Sequence, residues 1–207
     1  MTDLAVFKTR ILQLLGDTAG ARFPEERLKE ALRQALAVYS QALPQVLETE
    51  ITLTAAGREQ SLVVSPAPLF VIKLIRGGRE MPFQFFVRSG QPVLVIGGDS
   101  APVIGDEFNL RYAAGHGVKD LDAATDTSIP AGHESVVVRG AAGFAALLRL
   151  AGVGESYGSR TVEAAHLAEI GKQWLGDFQQ ALERLRRAER MHEYPAGFAL
   201  DGKGGLG

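Results

Sequence analysis

The sequence predicts an α+β fold in which a bundle of four main helices carries an inserted antiparallel β-sandwich or small barrel. Apolar residues recur at helical spacing near both ends of the chain, whereas the spacing changes to period two across residues 46–112. Turn sequences that contain glycine divide this middle region into short segments. With 207 residues, of which 46% are hydrophobic and 22% are charged, the chain can bury a substantial core.

Two helices are predicted at the N-terminal end. In residues 3–15 apolar side chains recur every three or four positions, and Gly16 marks the end of the pattern. A second helix is predicted over residues 24–43. It begins at Pro24, which suits a first helical turn, and it ends before Pro44.

Six short strands are predicted next, because their segments are rich in β-branched and aromatic residues and are separated by turns. They comprise residues 48–54, 60–64, 69–75, 82–87, 92–96 and 106–112. Short connections between consecutive strands favour an antiparallel arrangement.

Two more helices are predicted after the strands. Residues 135–152 carry apolar and small side chains on all sides, which is typical of a buried helix at the centre of a bundle. Residues 159–192 form one long amphipathic helix of about 50 Å at 1.5 Å per residue. Trp174 lies on its apolar face, where a core position is favoured over a ligand platform.

These elements divide the chain into three parts. Residues 1–45 and 113–192 form the helical bundle, and residues 46–112 form the inserted β domain. Residues 193–207 contain one proline and several glycines, which predicts a flexible C-terminal arm.

The composition restricts the classes of function. The net charge of -2 gives no overall attraction for nucleic acid, and the absence of cysteine excludes a thiolate metal site or a cysteine nucleophile. The apolar runs are shorter than the roughly 20 residues that cross a bilayer, so no membrane partner is expected. The N-terminus does not resemble a secretion signal, and we expect assembly in a cytoplasm.

The stretch YAAGHGVKDLDAATDTSIPAGHESVV, residues 112–137, contains two of the four histidines. His133 and Glu134 begin like the zinc motif HExxH, but Val137 stands where the second histidine belongs. The DLDAATD segment lacks the ligands of a calcium loop. We therefore expect no catalytic residue, no metal and no cofactor, although a metal-dependent hydrolase remains an open alternative. Its ligands would be His116, His133 and either Asp120 or Asp122.

The same stretch predicts a helix entry. Ser128, or Thr127, can accept a hydrogen bond from the first free amides, and Pro130 fits the first helical turn. Glu134 would favour the positive end of the helix dipole.

A cluster of arginines lies in the last turns of the long helix, where cations complement the negative helix end and Glu183 can pair with Arg187. A sharper interpretation is a basic patch that binds an acidic partner or DNA phosphates. The cluster comprises Arg184, Arg186, Arg187 and Arg190.

The order of these elements resembles the head-to-tail adaptor proteins of tailed bacteriophages, also called connector or head-completion proteins. The resemblance extends over residues 10–190, and its most particular part is the segment TSIP-x-x-x-E that leads into the alanine- and glycine-rich helix. The β region is longer and more regular than in the smallest adaptors.

The resemblance implies a structural, non-enzymatic virion protein in the neck between portal and tail. Similar proteins form dodecameric rings around a DNA channel and bind the portal and the next tail or neck protein. Their C-terminal segments reach onto the portal, so the expected portal-docking residues are Tyr194, Phe198 and Leu200. The exposed alternation of residues 82–96 would serve contacts with a neighbouring subunit or the tail.

One alternative from another class stays open. A β-sandwich on a helical scaffold could hold a small ligand or a carbohydrate.

Overall fold

The structure, a computed structural model, describes residues 2–153 and 161–193 and has four α-helices and two antiparallel sheets within them. The helices are α1 Leu4–Leu14, α2 Glu25–Ala42, α3 Glu134–Val153 and α4 Thr161–Glu193. The strands are β1 Gln45–Thr52, β2 Glu59–Ser61, β3 Pro68–Arg76, β4 Arg79–Glu80, β5 Phe83–Arg88, β6 Gln91–Ile96 and β7 Glu107–Ala114. The prediction of an α+β fold with an antiparallel β insertion between helices is confirmed.

Helix α3 lies at the centre of the helical bundle, as its sequence predicted. Six of its valines and alanines are at most 4% exposed, and it packs against the other three helices. These six residues are Val137, Val138, Ala141, Ala142, Ala145 and Ala146.

Glycines set the close approach of α3 and α4. A Cβ on Gly143 would come within 2.9 Å of Leu175, and one on Gly171 would come within 2.9 Å of Leu147. From Gly143 to Leu147 the residue number rises along α3, whereas their partners on α4 fall from Leu175 to Gly171, so α3 and α4 are antiparallel.

The turn between α1 and α2 is held by one carboxylate. Asp17 is 6% exposed and accepts hydrogen bonds from the backbone N–H groups of Ala21 at 3.2 Å, Arg22 at 2.8 Å and Phe23 at 3.0 Å. The sequence pattern identified Gly16 as the stop but not this role of Asp17.

The strands form two sheets with the orders β1-β7-β3-β4 and β2-β6-β5. Leu74, Phe108 and Leu110 from the first sheet and Leu94 and Ile96 from the second belong to one buried cluster. The two sheets therefore enclose a common core, as in a sandwich.

Several predicted boundaries were wrong by a few residues. β1 begins at Gln45, directly after Leu43 and Pro44, and β7 continues to Ala114. β2 is Glu59–Ser61, which begins one residue before and ends three residues before the predicted 60–64. No pattern predicted the two-residue strand β4, which follows the Gly77-Gly78 turn at φ 54° and 79°.

Candidate functional site

The helical bundle and the β-sandwich meet at a junction formed by the end of α2 and the loop of residues 115–130. Both sequence-predicted histidines, His116 and His133, lie at this junction on either side of Tyr39. Their rings make edge contacts with the Tyr39 ring at centroid distances of 5.0 Å and 6.1 Å.

His116 ties the loop to the C-terminal end of α2. Its Nε2 lies 2.9 Å from the carbonyl oxygen of Leu43, and its backbone N–H donates to Oγ of Ser40 at 2.8 Å. Its Nδ1 lies 3.0 Å from the carbonyl oxygen of Ser128 and 3.2 Å from its hydroxyl. Burial lowers the pKa of His116, although both carbonyl contacts act in the opposite direction. A neutral ring with its proton on Nε2 donates to the carbonyl oxygen of Leu43 and accepts at Nδ1 from the hydroxyl of Ser128.

Tyr39 is 1% exposed, and its hydroxyl lies 2.7 Å from Nδ1 of His133. Burial and the negative charge of Glu189 raise the pKa of Tyr39 to about 12. The phenol therefore stays protonated at neutral pH and can donate a hydrogen bond to Nδ1 of His133.

The structure separates the residues that a metal-dependent hydrolase would need. Asp122 accepts a forked hydrogen bond from Arg33, at 2.9 Å from Nε and 2.6 Å from Nη2, and these bonds lower the pKa of Asp122. Asp120 has an exposed side chain. Within residues 2–153 and 161–193 no three His, Cys, Asp or Glu side chains are grouped as a metal site would require.

The predicted helix entry is only partly correct. Pro130 precedes a 3-10 turn, Ala131–His133, and α3 begins at Glu134. The capping role given to Ser128 or Thr127 was wrong, because no side chain caps this turn. The hydroxyl of Ser128 instead accepts from the N–H of Gly117 at 3.0 Å.

Hydrogen bonds across the loop explain that difference. The hydroxyl of Thr127 accepts from the N–H of Lys119 at 2.9 Å. The hydroxyls of Thr127 and Ser128 are therefore both used in hydrogen bonds within the loop. Glu134 is 7% exposed and forms an ion pair with Arg10 of α1 at 2.6 Å.

Three of the four predicted arginines border a groove between α2 and α4 of about 870 Å³. Its apolar lining comes from Val38, Ala42 and Leu182. Its polar lining comes from three glutamines, Glu183 and the arginines Arg184, Arg186 and Arg187. Nε of Arg184 donates to the carbonyl oxygen of Gln180 at 3.3 Å. Arg187 does not pair with Glu183, and among the described side chains neither Arg186 nor Arg187 has an acidic partner.

Some predictions fall on residues beyond these. Tyr194, Phe198 and Leu200 lie outside the described residues, and the side chain of Arg190 is likewise not described. Trp174 is half-buried against the helical core, as the favoured interpretation expected.

A cleft of about 460 Å³ opens on one side of the sandwich, between β1 and the segment that contains β2. Tyr112 lines it and is 2% exposed. Its hydroxyl makes no hydrogen bond to the described part of the chain, but it is not sealed from solvent either. The hydroxyl is therefore available to a group that enters the cleft.

Sequence reasoning missed an exposed apolar edge. Leu69, Phe70 and Ile72 of β3 are 44%, 48% and 40% exposed. The run LFVIKLI reads as a buried strand because it is almost continuously apolar, but its neighbour β4 pairs only with Ile75 and Arg76 and leaves the rest of β3 unpaired on that side. The lysine within the run was the available signal, since charged residues mark edge strands.

Comparison with known proteins adds no relative. No protein-family model matches the chain, and no curated protein sequence matches it. Among the described helices, none has the length and apolar character needed to cross a membrane.

Proposed function

We propose that the chain is a structural, non-enzymatic component of a tailed-bacteriophage virion. In this proposal it forms a homo-oligomeric adaptor ring, dodecameric as in the proteins that it resembles, which joins the portal to the tail and surrounds part of the DNA channel. It would be assembled in the host cytoplasm and located in the neck of the virion, and it would need no cofactor.

The observation that carries this proposal is the relation of α4 to the rest of the bundle. Helix α4 has 33 residues and packs antiparallel to the buried helix α3, whose first turn lies opposite Arg184 and Leu185. The residues of α4 after Leu185 therefore extend about 12 Å past the start of α3, at 1.5 Å per residue. This part of α4 runs beside the end of α2, and the side chains of residues 186–189 are exposed and available to contact another protein.

The groove beside that extension supports the choice of a protein partner. Its apolar lining and its arginines Arg184, Arg186 and Arg187 fit a segment with apolar and acidic side chains. The portal or the next neck protein would supply that segment, whereas DNA would pass without sequence recognition.

Retention on the purified portal tests the proposal. A variant that lacks residues 193–207 and a full-length variant with Tyr194, Phe198 and Leu200 changed to serine are compared with the unchanged chain. We expect ring-shaped particles on the portal for the unchanged chain and loss of retention for both variants. Absence of portal binding by the unchanged chain, with only monomers in negative-stain images, would refute the adaptor function.

The cleft favours one second candidate, a ligand- or carbohydrate-binding module. Tyr112 offers a free hydroxyl in a cleft lined by apolar residues such as Leu62 and Leu94 and by polar residues such as Thr52, Gln60 and Ser61, a mixture found in small-molecule sites. Thermal-shift titration with a panel of oligosaccharides checks it. A shift that the Tyr112→Phe variant loses would support this candidate, and no shift with any sugar would remove it.

A further inference from the structure

The first sheet has two different free edges. In the order β1-β7-β3-β4, β1 is one edge strand. At the other edge, β4 pairs only with Ile75 and Arg76, so among the described residues no strand pairs with residues 68–73 of β3 on that side. Free edges present unpaired backbone N–H and C=O groups that can pair with another chain.

The alternation of backbone hydrogen bonds along β1 shows which of its N–H and C=O groups are unpaired. The N–H of Leu53 donates to the carbonyl oxygen of Asp106 at 2.9 Å, so this position is bonded toward the β7 side. Because bonded and free positions alternate in an antiparallel pair, Val46, Glu48, Glu50 and Thr52 direct their backbone groups away from β7. β1 therefore offers four residues for pairing.

The register across the sheet places chemically matched side chains at the same height. Val46 lies opposite Ala113, which lies opposite Phe70, and the outer two are 50% and 48% exposed. One step along, Glu48 lies opposite Arg111, which lies opposite Lys73. Each row thus has one end on β1 and the other on β3.

We propose that β1 of one copy pairs edge to edge with β3 of a second copy. Both strands are antiparallel to β7, so they run parallel to each other, and copies related by rotation about an axis along the strands would pair in parallel. At equal height, Val46 meets Phe70 of the next copy and Glu48 meets Lys73. An apolar pair is buried and a pair of opposite charges forms in the same step.

The two edges differ in a way that sets the direction of assembly. Glutamates on β1 oppose pairing of β1 with itself, because like charges would face each other across the contact. The β3 edge offers exposed Leu69 and Ile72 at two irregularities of its register, which add apolar surface there. The contact is head-to-tail, and such contacts either close into a ring or continue as a filament. Closure into a ring, in particular, rests on the proposed adaptor function.

Cross-linking tests the contact cleanly, because the chain contains no cysteine. The full-length double variant Val46→Cys/Phe70→Cys is oxidised under assembly conditions. Within one chain β7 separates the two thiols, so they are too far apart for a disulfide, whereas in the edge contact they are adjacent. We expect a ladder of covalent multimers. The control variant Val6→Cys/Val87→Cys has thiols on α1 and β5, at positions that are 38% and 59% exposed, and should give only background.

A charge exchange tests the register independently of the cross-link. We expect Glu48→Lys to weaken self-association about tenfold, measured by sedimentation equilibrium, because it places two lysines together. Adding Lys73→Glu should restore association. Glu107→Lys, an exposed change on the central strand β7, should leave the association constant within about twofold of the original value.

The outcomes separate this contact from the adaptor function. Rings on the portal with no more cross-linking than the control would overturn the edge contact and leave the function standing. A cross-linked ladder without portal binding would overturn the function and leave the contact standing. Failure of the charge exchange to restore association, or monomers at every concentration with and without portal, would overturn the contact.

Discussion

The ring of Phe178 lies directly against the backbone of Gly140, where a Cβ would come within 2.9 Å of three ring atoms. Phe178 is 1% exposed and cannot turn toward solvent without leaving the core. Glycine at position 140 therefore sets how closely α4 can approach α3, and this approach aligns the long helix.

We expect Gly140→Ala to destabilise the protein by about 1–3 kcal/mol, because the added methyl overpacks the core. Gly176 is the matched control, since it lies within α4 with nothing within 4 Å of an added Cβ. Gly176→Ala should stabilise by about 0.5–1 kcal/mol through helix propensity. Urea unfolding monitored by circular dichroism measures both, and equal stability of the two variants would contradict this account of the interface.

The junction histidine gives the protein a pH dependence. Burial holds the pKa of His116 below its ordinary value of 6.5, so the unfolded chain binds a proton that the folded chain does not. Its contribution to stability is present above about pH 6.5 and is lost as the pH falls toward the lower folded pKa. We expect the melting temperature of His116→Asn to change less between pH 7 and pH 5 than that of the original chain.

The control for this experiment is His166→Gln, which removes an exposed histidine from α4. It should keep the original pH dependence. If His116→Asn shows that same dependence, the titration of His116 does not control acid stability.

Asp17 should contribute to stability through its charge. Burial raises the pKa of Asp17, but hydrogen bonds from the N–H groups of Arg22, Phe23 and Ala21 lower it by more, so it lies below the ordinary 3.8. The stabilisation is full above about pH 3.8 and is lost as the pH falls through the folded pKa. We expect Asp17→Asn to lower the melting temperature at pH 7, whereas the exposed change Asp99→Asn should not. Equal melting temperatures of these variants would contradict the role of Asp17.

The arginines of the groove should act in binding and not in folding. We expect Arg186→Glu/Arg187→Glu to leave the melting temperature almost unchanged, because both side chains are exposed. Portal retention should fall, and the salt dependence of any remaining binding should become weaker. A matched variant with Lys172→Glu, an exposed change elsewhere on α4, should be retained normally. Unchanged retention of the arginine variant would show that these arginines are not part of the binding surface.

The helices were predictable because their signals are local. Apolar spacing in α2 and α4, Pro24 at a helix start and the alanine-rich character of α3 depend only on neighbours in sequence, and the structure follows them within two residues. The strands were predictable as a set for the same reason. Their order was not, because pairing β1 with β7 joins residues more than fifty positions apart.

The candidate sites depend on that order and were less predictable. The sequence could identify His116 and His133 as unusual, but not that Tyr39 from another helix lies between them. Ser128 was wrongly interpreted as a cap. Its hydroxyl accepts instead from the N–H of Gly117, a donor that comes close only once the loop has folded. The exposure of Phe70 likewise follows from its place at the sheet edge.

The connection between α2 and β1 is only Leu43 and Pro44, and His116 fastens the returning loop to the carbonyl oxygen of Leu43. Leu43 is 2% exposed, so the short link itself is embedded in the helical core. Two segments of the chain and the side-chain hydrogen bonds of His116, Ser40 and Gln45 thus cross the junction at nearly the same point. A load applied to the sandwich is therefore transmitted straight into the central helices, and the molecule should respond to force as one lever instead of two hinged parts.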